Sequence, residues 1–226
     1  MVLKQIYLYP DLVEFNTRPD DLIIIRDQTR SICNFLERQL AKRKFKTEGF
    51  KRICIIGYSN LQEEIYINSC QVLSVPILFN MDECRQTPQC KLDDYYAELL
   101  IVGLKRCATK YQIPLDDMLV WLDDLKQNGY INKWTFKEKT FRELGIKCRL
   151  QCMLTKEAFT LRLDINSKGS SLFDEVILTT APDEIVFYHQ FKDIMVKNDE
   201  VVVTDRLGGV LFRISIRQLL HNSIDS

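Results

Sequence analysis

Residues 115–141, LDDMLVWLDDLKQNGYINKWTFKEKTF, hold the change of texture that decides the fold. Up to Asn128 the apolar residues Leu115, Met118, Leu119, Leu122 and Leu125 recur at helical spacing and share one face. Gly129 stops that pattern. From Trp134 the chain turns to short β-prone runs separated by polar breaks.

Upstream of this junction helices dominate. Val2–Tyr9 reads as a strand ended by Pro10. Thr17-Arg18-Pro19-Asp20 looks like a helix start, with a capping hydroxyl and an early proline. The helix is expected from Asp20 to Lys44, with Leu22, Ile25, Ile32, Phe35, Leu36 and Leu40 as its apolar face and Gly49 as its stop. Phe50–Gly57 and Glu64–Phe79 read as strands that pair antiparallel, the second interrupted at Val75-Pro76. Asn80–Lys91 reads as a loop. A long helix is expected over Leu92–Tyr111, its face led by Tyr95, Leu99, Val102 and Tyr111 and widened by Leu100, Ile101 and Leu104.

Downstream, the β-prone runs are Trp134–Phe141, Lys147–Thr155, Phe159–Ile165, Leu172–Thr180, Ile185–Phe191, Asp193–Val196, Glu200–Thr204 and Gly209–Ile216. Turn chemistry at the junctions favours an antiparallel meander. The expected class is therefore α+β: an N-terminal mixed α/β portion over residues 1–130 with three main helices, then a β-rich portion over 131–226. No linker marks the boundary, so two lobes of one continuous domain are as well supported as two independent domains.

Composition narrows the function. Lysine plus arginine (31) balance aspartate plus glutamate (31), so bulk charge gives no pull toward nucleic acid or anionic membrane. Glycine (8) and proline (6) are scarce, which argues against disorder. No apolar run approaches the ~20 residues that span a bilayer, and the N-terminus lacks a signal-peptide pattern. The cysteines form no C-x-x-C and several lie in apolar runs. These observations point to reduced thiols and a cytoplasmic location.

Tests for catalytic chemistry return little. His189 sits among aromatics in Phe187–Phe191 and reads as a strand or turn histidine; His221 lies near the C-terminus. Gly57-Tyr58-Ser59 follows an apolar strand but lacks the second glycine of a nucleophile elbow. Cys84 and Cys90 are the exposed-loop candidates for a reactive thiol, with no histidine near them in sequence. Cys148 and Cys152 fall on one face of an expected strand with Cα atoms about 13 Å apart, too far for one metal ion. No phosphate-cradling glycine motif occurs. Neither a cofactor, a metal nor a catalytic residue is expected.

Two charged surfaces remain. Asp116-Asp117 and Asp123-Asp124 lie seven residues apart, nearly two helical turns, so the pairs stack on one face. Val120 falls within that stripe and Trp121 at its edge. Together Asp116, Asp117, Val120, Trp121, Asp123 and Asp124 form a surface suited to a basic protein partner, with charge steering the encounter and the aromatic ring anchoring it. The plainer reading is a solvated helix face. The opposite patch, Arg38–Arg52, carries an excess of cations but few aromatics; it suits a helix C-terminus better than a nucleic acid. Acidic and basic patches on one neutral chain also allow self-association. The expected function is a non-enzymatic, cytoplasmic protein-binding module, an inhibitor of the bacterial immunity type that occludes a partner such as a basic toxin domain. The alternatives are a cysteine- or carboxylate-dependent enzyme and, more weakly, a nucleic-acid binder through residues 38–52.

Overall fold

The computed structural model describes residues 1–60 and 64–221, without the side chains of Leu220 and His221. The fold is α+β: a mixed α/β N-terminal portion, then a series of antiparallel strands. The chain divides into two compact units, the first ending at Asn132 and the second starting at Lys133.

The first unit runs β1 (Gln5–Pro10), α1 (Pro19–Arg43), β2 (Arg52–Tyr58), β3 (Tyr66–Ile67), β4 (Val72–Leu78), α2 (Met81–Gln86), α3 (Leu92–Ala108) and α4 (Leu115–Gln127). Its sheet has the order β1-β2-β4-β3. The pairs β1–β2 and β2–β4 are parallel, and β3 pairs antiparallel to β4. Alternate residues Ile6, Leu8, Ile53, Ile55, Leu73, Val75 and Ile77 form one core with the apolar sides of α1, α3 and α4. Helix α3 lies very close to the sheet at Gly103, where an added Cβ would stand 2.5 Å from Ile55 Cγ2.

This topology corrects the antiparallel pairing expected of Phe50–Gly57 and Glu64–Phe79. The break in the second run falls at Asn68–Gln71, not at Val75-Pro76. The Asn68 side chain accepts from the backbone N–H groups of Cys70 and Val72, and Gln71 adopts a left-handed φ of 63°. That turn reverses β3 into β4, so β4 runs alongside β2 in the same direction. Pro76 lies inside β4 opposite Ile56. It is tolerated because β3 covers β4 only at Leu73 and Ser74, leaving that flank of Pro76 without a ladder partner.

Local differences have local causes. Thr17 does not cap α1; the cap position is Arg18, which makes no side-chain cap bond. Helix α1 ends in a left-handed Lys44, six residues before Phe50, rather than at Gly49. Within α3 the buried face is Leu92, Tyr96, Ala97, Leu100, Gly103, Leu104 and Cys107, and Val102 is exposed. The expected loop over Asn80–Lys91 contains α2, capped by Asn80, whose side chain accepts from Asp82 and Glu83 N–H.

The second unit holds a meander of β5 (Asn132–Phe141), β6 (Ile146–Leu154), β7 (Phe159–Ser167) and β8 (Ser170–Thr180), in that spatial order. Helix α5 (Glu184–Phe187) follows, then β9 (Asp193–Lys197), β10 (Glu200–Thr204), β11 (Val210–Ser215) and α6 (Ile216–His221). Strands β9–β11 form a second antiparallel sheet. Ile146, Cys148, Leu150, Cys152 and Leu154 on β6 and Phe159, Leu161, Leu163 and Ile165 on β7 point inward with strict alternation, and meet Ile194, Val201 and Val203 of the second sheet. Lys139 on β5 bridges to β9, donating at 2.8 Å to both Asp193 Oδ2 and the Ile194 carbonyl.

Ile185–Phe191, expected as a strand, is instead α5 and a turn. Asp183 caps it by accepting from Ile185 N–H at 2.9 Å. Phe187 and Phe191, four residues apart, both stack on Phe159, at centroid distances of 3.8 and 5.5 Å.

Candidate functional site

Helix α4 carries the acidic stripe as expected. Met118, Leu122 and Leu125 are buried, while Asp116, Asp123 and Asp124 face solvent. Val120 stands among them at 59 % exposure, and the half-buried Trp121 packs its ring against the core of the first unit. Asp123 accepts from the Gln127 amide at 2.6 Å. Asp117 differs from the rest: it pairs with Arg43 at 2.7 Å. Among the described residues, Asp116, Asp123 and Asp124 form no ion pair, so three carboxylates flank an exposed valine without a bonded cation.

The Arg43–Asp117 pair joins the acidic stripe to the basic run. Other arginines of that run are also engaged within the fold. Arg38 donates to Asn132 Oδ1 at 2.6 Å, and Arg52 donates to Gln5 Oε1 at 2.9 and 2.6 Å. Lys42, Lys44, Lys46 and Lys51 are exposed.

The groups tested for catalysis are dispersed. His189 is exposed in the turn after α5, its Nδ1 3.2 Å from the Ile185 carbonyl. The side chain of His221 lies outside the described residues. Ser59 follows β2 and hydrogen-bonds Glu14 through its hydroxyl and its N–H; residues 61–63 of the turn expected there lie outside the described residues. Cys84, expected in an exposed loop, is 4 % exposed in α2, with its sulfur 3.7 Å from the Tyr96 hydroxyl. Cys70 and Cys90 are exposed. Burial pushes the Cys54 and Cys84 thiols up, and those of Cys107 and Cys148 up to about 12, so these four hold their protons near neutrality. Among the described residues no three histidine, cysteine or acidic side chains gather as metal ligands, and no helix is long and apolar enough to cross a membrane.

Two of the hollows on the described surface are lined by both polar and apolar side chains. The outer face of β6, β7 and β8 is concave, about 520 Å³, and lined by polar side chains such as Gln151, Arg162, Asp164 and Asp174. Several of its charges are paired: Arg162 with Asp174 at 2.8 Å, and Asp164 with Arg149 beside the hollow at 3.6 Å. The second hollow, about 430 Å³, lies where β2 and β4 end, between Phe15, Ser59 and Met81. There Arg18 is hydrogen-bonded to Asp82 at 2.8 Å and holds that carboxyl below its ordinary value.

Sequence reasoning missed a set of polar residues on α1. Thr29, Arg30 and Glu37 serve the free edge of β1: Thr29 donates to the Leu8 carbonyl at 2.8 Å, Arg30 to the Ile6 carbonyl at 2.9 Å, and Ile6 N–H donates to Glu37 at 2.9 Å. The signal was present as polar residues on the helix side that also carries Ile25, Ile32 and Leu36, but helical periodicity alone counts apolar positions. No family model, no curated protein and no solved structure matches the chain.

Proposed function

We propose that this chain is a non-enzymatic, cytoplasmic protein-binding module, an inhibitor of the bacterial immunity type that neutralises a basic partner, such as a toxin domain, by covering its surface. The observation that carries this reading is the α4 stripe. Asp116, Asp123 and Asp124 stand exposed around Val120 with no ion pair among the described residues, and Asp117 and Trp121 lie at the margins. Exposed carboxylates of one sign raise the rate of encounter with a cationic surface. An exposed valine beside a half-buried tryptophan supplies apolar contact once the surfaces meet.

Other features favour binding over catalysis. The four buried thiols with raised pKa stay protonated and therefore poorly nucleophilic near neutral pH. The engagement of Arg38 and Arg43 within the fold weighs against a phosphate-binding role for residues 38–52.

The test uses a basic partner identified by crosslinked pull-down from the source cells. Its affinity is then measured with the wild type and with the variant carrying D116N, D117N, D123N and D124N. The expected result is a fall of about tenfold or more at low ionic strength, with a flatter salt dependence. Equal affinity of the two proteins at low salt removes the acidic surface from the account.

A further inference from the structure

The helices of the first unit pack on one face of its sheet; on the other face Cys54, Ser74 and Pro76 at mid-strand are also buried, and the side chains around them are half-buried or exposed. On this second face, Tyr7 and Tyr9 of β1, Ile56 and Tyr58 of β2, Leu78 of β4 and Tyr66 of β3 form a band across all four strands. The register makes it continuous: Tyr9 lies opposite Ile56, and Tyr58 opposite Leu78. None of these six belongs to the core of the first unit or packs against it. Leu78 is 61 % and Tyr66 48 % exposed. Where such a face reaches water, as at Leu78 and Tyr66, polar residues are the usual occupants. An apolar and aromatic band there is the composition of a protein interface.

We propose that this face is a second docking surface, and that its occupant is a protein segment presenting apolar side chains around a carboxylate that pairs with Arg52. The surface is distinct from the α4 stripe and goes beyond the reading built on it. Arg52 sets the charge of the partner. Its Nε and Nη2 donate to the neutral amide of Gln5, and its guanidinium carbon lies 5.1 Å from the centre of the Tyr7 ring. Among the described residues no carboxylate pairs with it, and Nη1 makes no hydrogen bond. The neighbouring Arg30 differs, being paired with Glu37 at 3.1 Å. Arg52 is therefore a cation held in place by an uncharged residue, at the edge of an apolar band, with one amino group left for an incoming acceptor.

The same geometry selects a protein over a single-stranded nucleic acid. Base stacking needs free ring faces. The Tyr7 ring already has the Arg30 and Arg52 guanidinium carbons within 4.4 and 5.1 Å of its centre. The Cys54 thiol lies near the Tyr9 hydroxyl and the Asp11 carboxylate near that of Tyr58, and both hold their tyrosine's proton more tightly. What remains is a fixed relief of ring edges and aliphatic groups, which side chains fill better than flat bases.

The test pans a random peptide library against the full-length protein and titrates the enriched peptides by amide NMR. Expected are peptides that place Asp or Glu among apolar residues, amide shifts on β1, β2 and β4, and binding weakened about tenfold or more by Arg52→Gln. Tyr66→Ala, on the two-residue edge strand, is expected to weaken binding without unfolding the protein, as checked by circular dichroism. The variant with all four α4 aspartates changed to Asn should bind these peptides unchanged, which separates this surface from the acidic one. The proposal is overturned by no enrichment, by enriched peptides lacking a carboxylate, by shifts confined elsewhere, or by undiminished binding to folded Arg52→Gln and Tyr66→Ala. Oligouridylate moving the same amides would reassign the face to nucleic acid and overturn it equally.

Discussion

Cys107 and Cys148 are fully buried, and burial alone raises the first thiol while burial aided by Asp164 raises the second, both from 9.0 to about 12. A group whose pKa is higher in the folded state destabilises that state as its proton is drawn off. Stability is therefore complete below about pH 9 and declines as pH climbs toward 12. The half-buried Tyr9 and the buried Tyr96 shift in the same direction, burial again being the main cause. The unfolding free energy from urea titration should fall steeply above pH 9, by about 2–3 kcal/mol per thiol near pH 11, and the double variant Cys107→Ala, Cys148→Ala should decline less steeply. An unfolding free energy that stays flat to about pH 11 would contradict this account of the thiols. The apolar runs around these cysteines made their burial legible in the sequence. Cys84 was not legible in that way. The chain around it is polar, and only the closing of α2 against Tyr96 removes its sulfur from water.

Elements that depend on local spacing were the readable ones. Helices α1, α3 and α4 and strands β6, β7 and β10 follow from period and punctuation. Two features depended on partners distant in sequence and were not readable. One is the parallel placement of β4 beside β2, which turns on the single Asn68 side chain that closes the reversal. The other is α5, where Phe187 and Phe191 sit four residues apart, a helical spacing outweighed on paper by β-prone composition. The acidic stripe of α4 was legible in full from the seven-residue repeat of its aspartates. The tyrosine face was not, because it arises only when β1, β2, β4 and β3 are set in register. Helix α1 illustrates how an element can protect another. By bonding the outer edge of β1 through Thr29, Arg30 and Glu37, it occupies groups that would otherwise invite a foreign strand. Arg30 is 4 % exposed and pairs with Glu37 at 3.1 Å, so removing that carboxylate weakens the compensation of a charge held in the interior. Glu37→Ala should lower unfolding free energy by about 3–5 kcal/mol in urea titration, and Glu37→Gln by less, because the amide still accepts from Ile6 N–H. Equal stability of wild type and Glu37→Ala would mean that the edge is guarded by other means.

At the level of the whole molecule, two hydrophobic cores share no residue: one is built from β1–β4 with α1, α3 and α4, the other from the two antiparallel sheets. Asn132 closes the first unit. It is fully buried, accepts from Arg38, and donates to the Ser31 carbonyl at 2.9 Å and to Asn34 Oδ1 at 3.1 Å. These bonds fasten the last residue of the first unit to α1, so the chain leaves for β5 from an anchored point. Separate cores imply separate cooperativity, because the cooperative unit of unfolding is the set of side chains that lose their packing together. The two tryptophans of the chain report on this independently: Trp121 packs against the first core and Trp134 against the second. With Trp134→Phe the fluorescence of Trp121 should follow the first unit alone, and with Trp121→Phe that of Trp134 should follow the second. The expected outcome is two urea transitions with different midpoints, each matching one phase of the wild-type circular dichroism curve. A single midpoint from both reporters, coincident with the wild-type curve, would show that the units unfold as one body, and the two-core account of stability would have to be replaced by a coupled one.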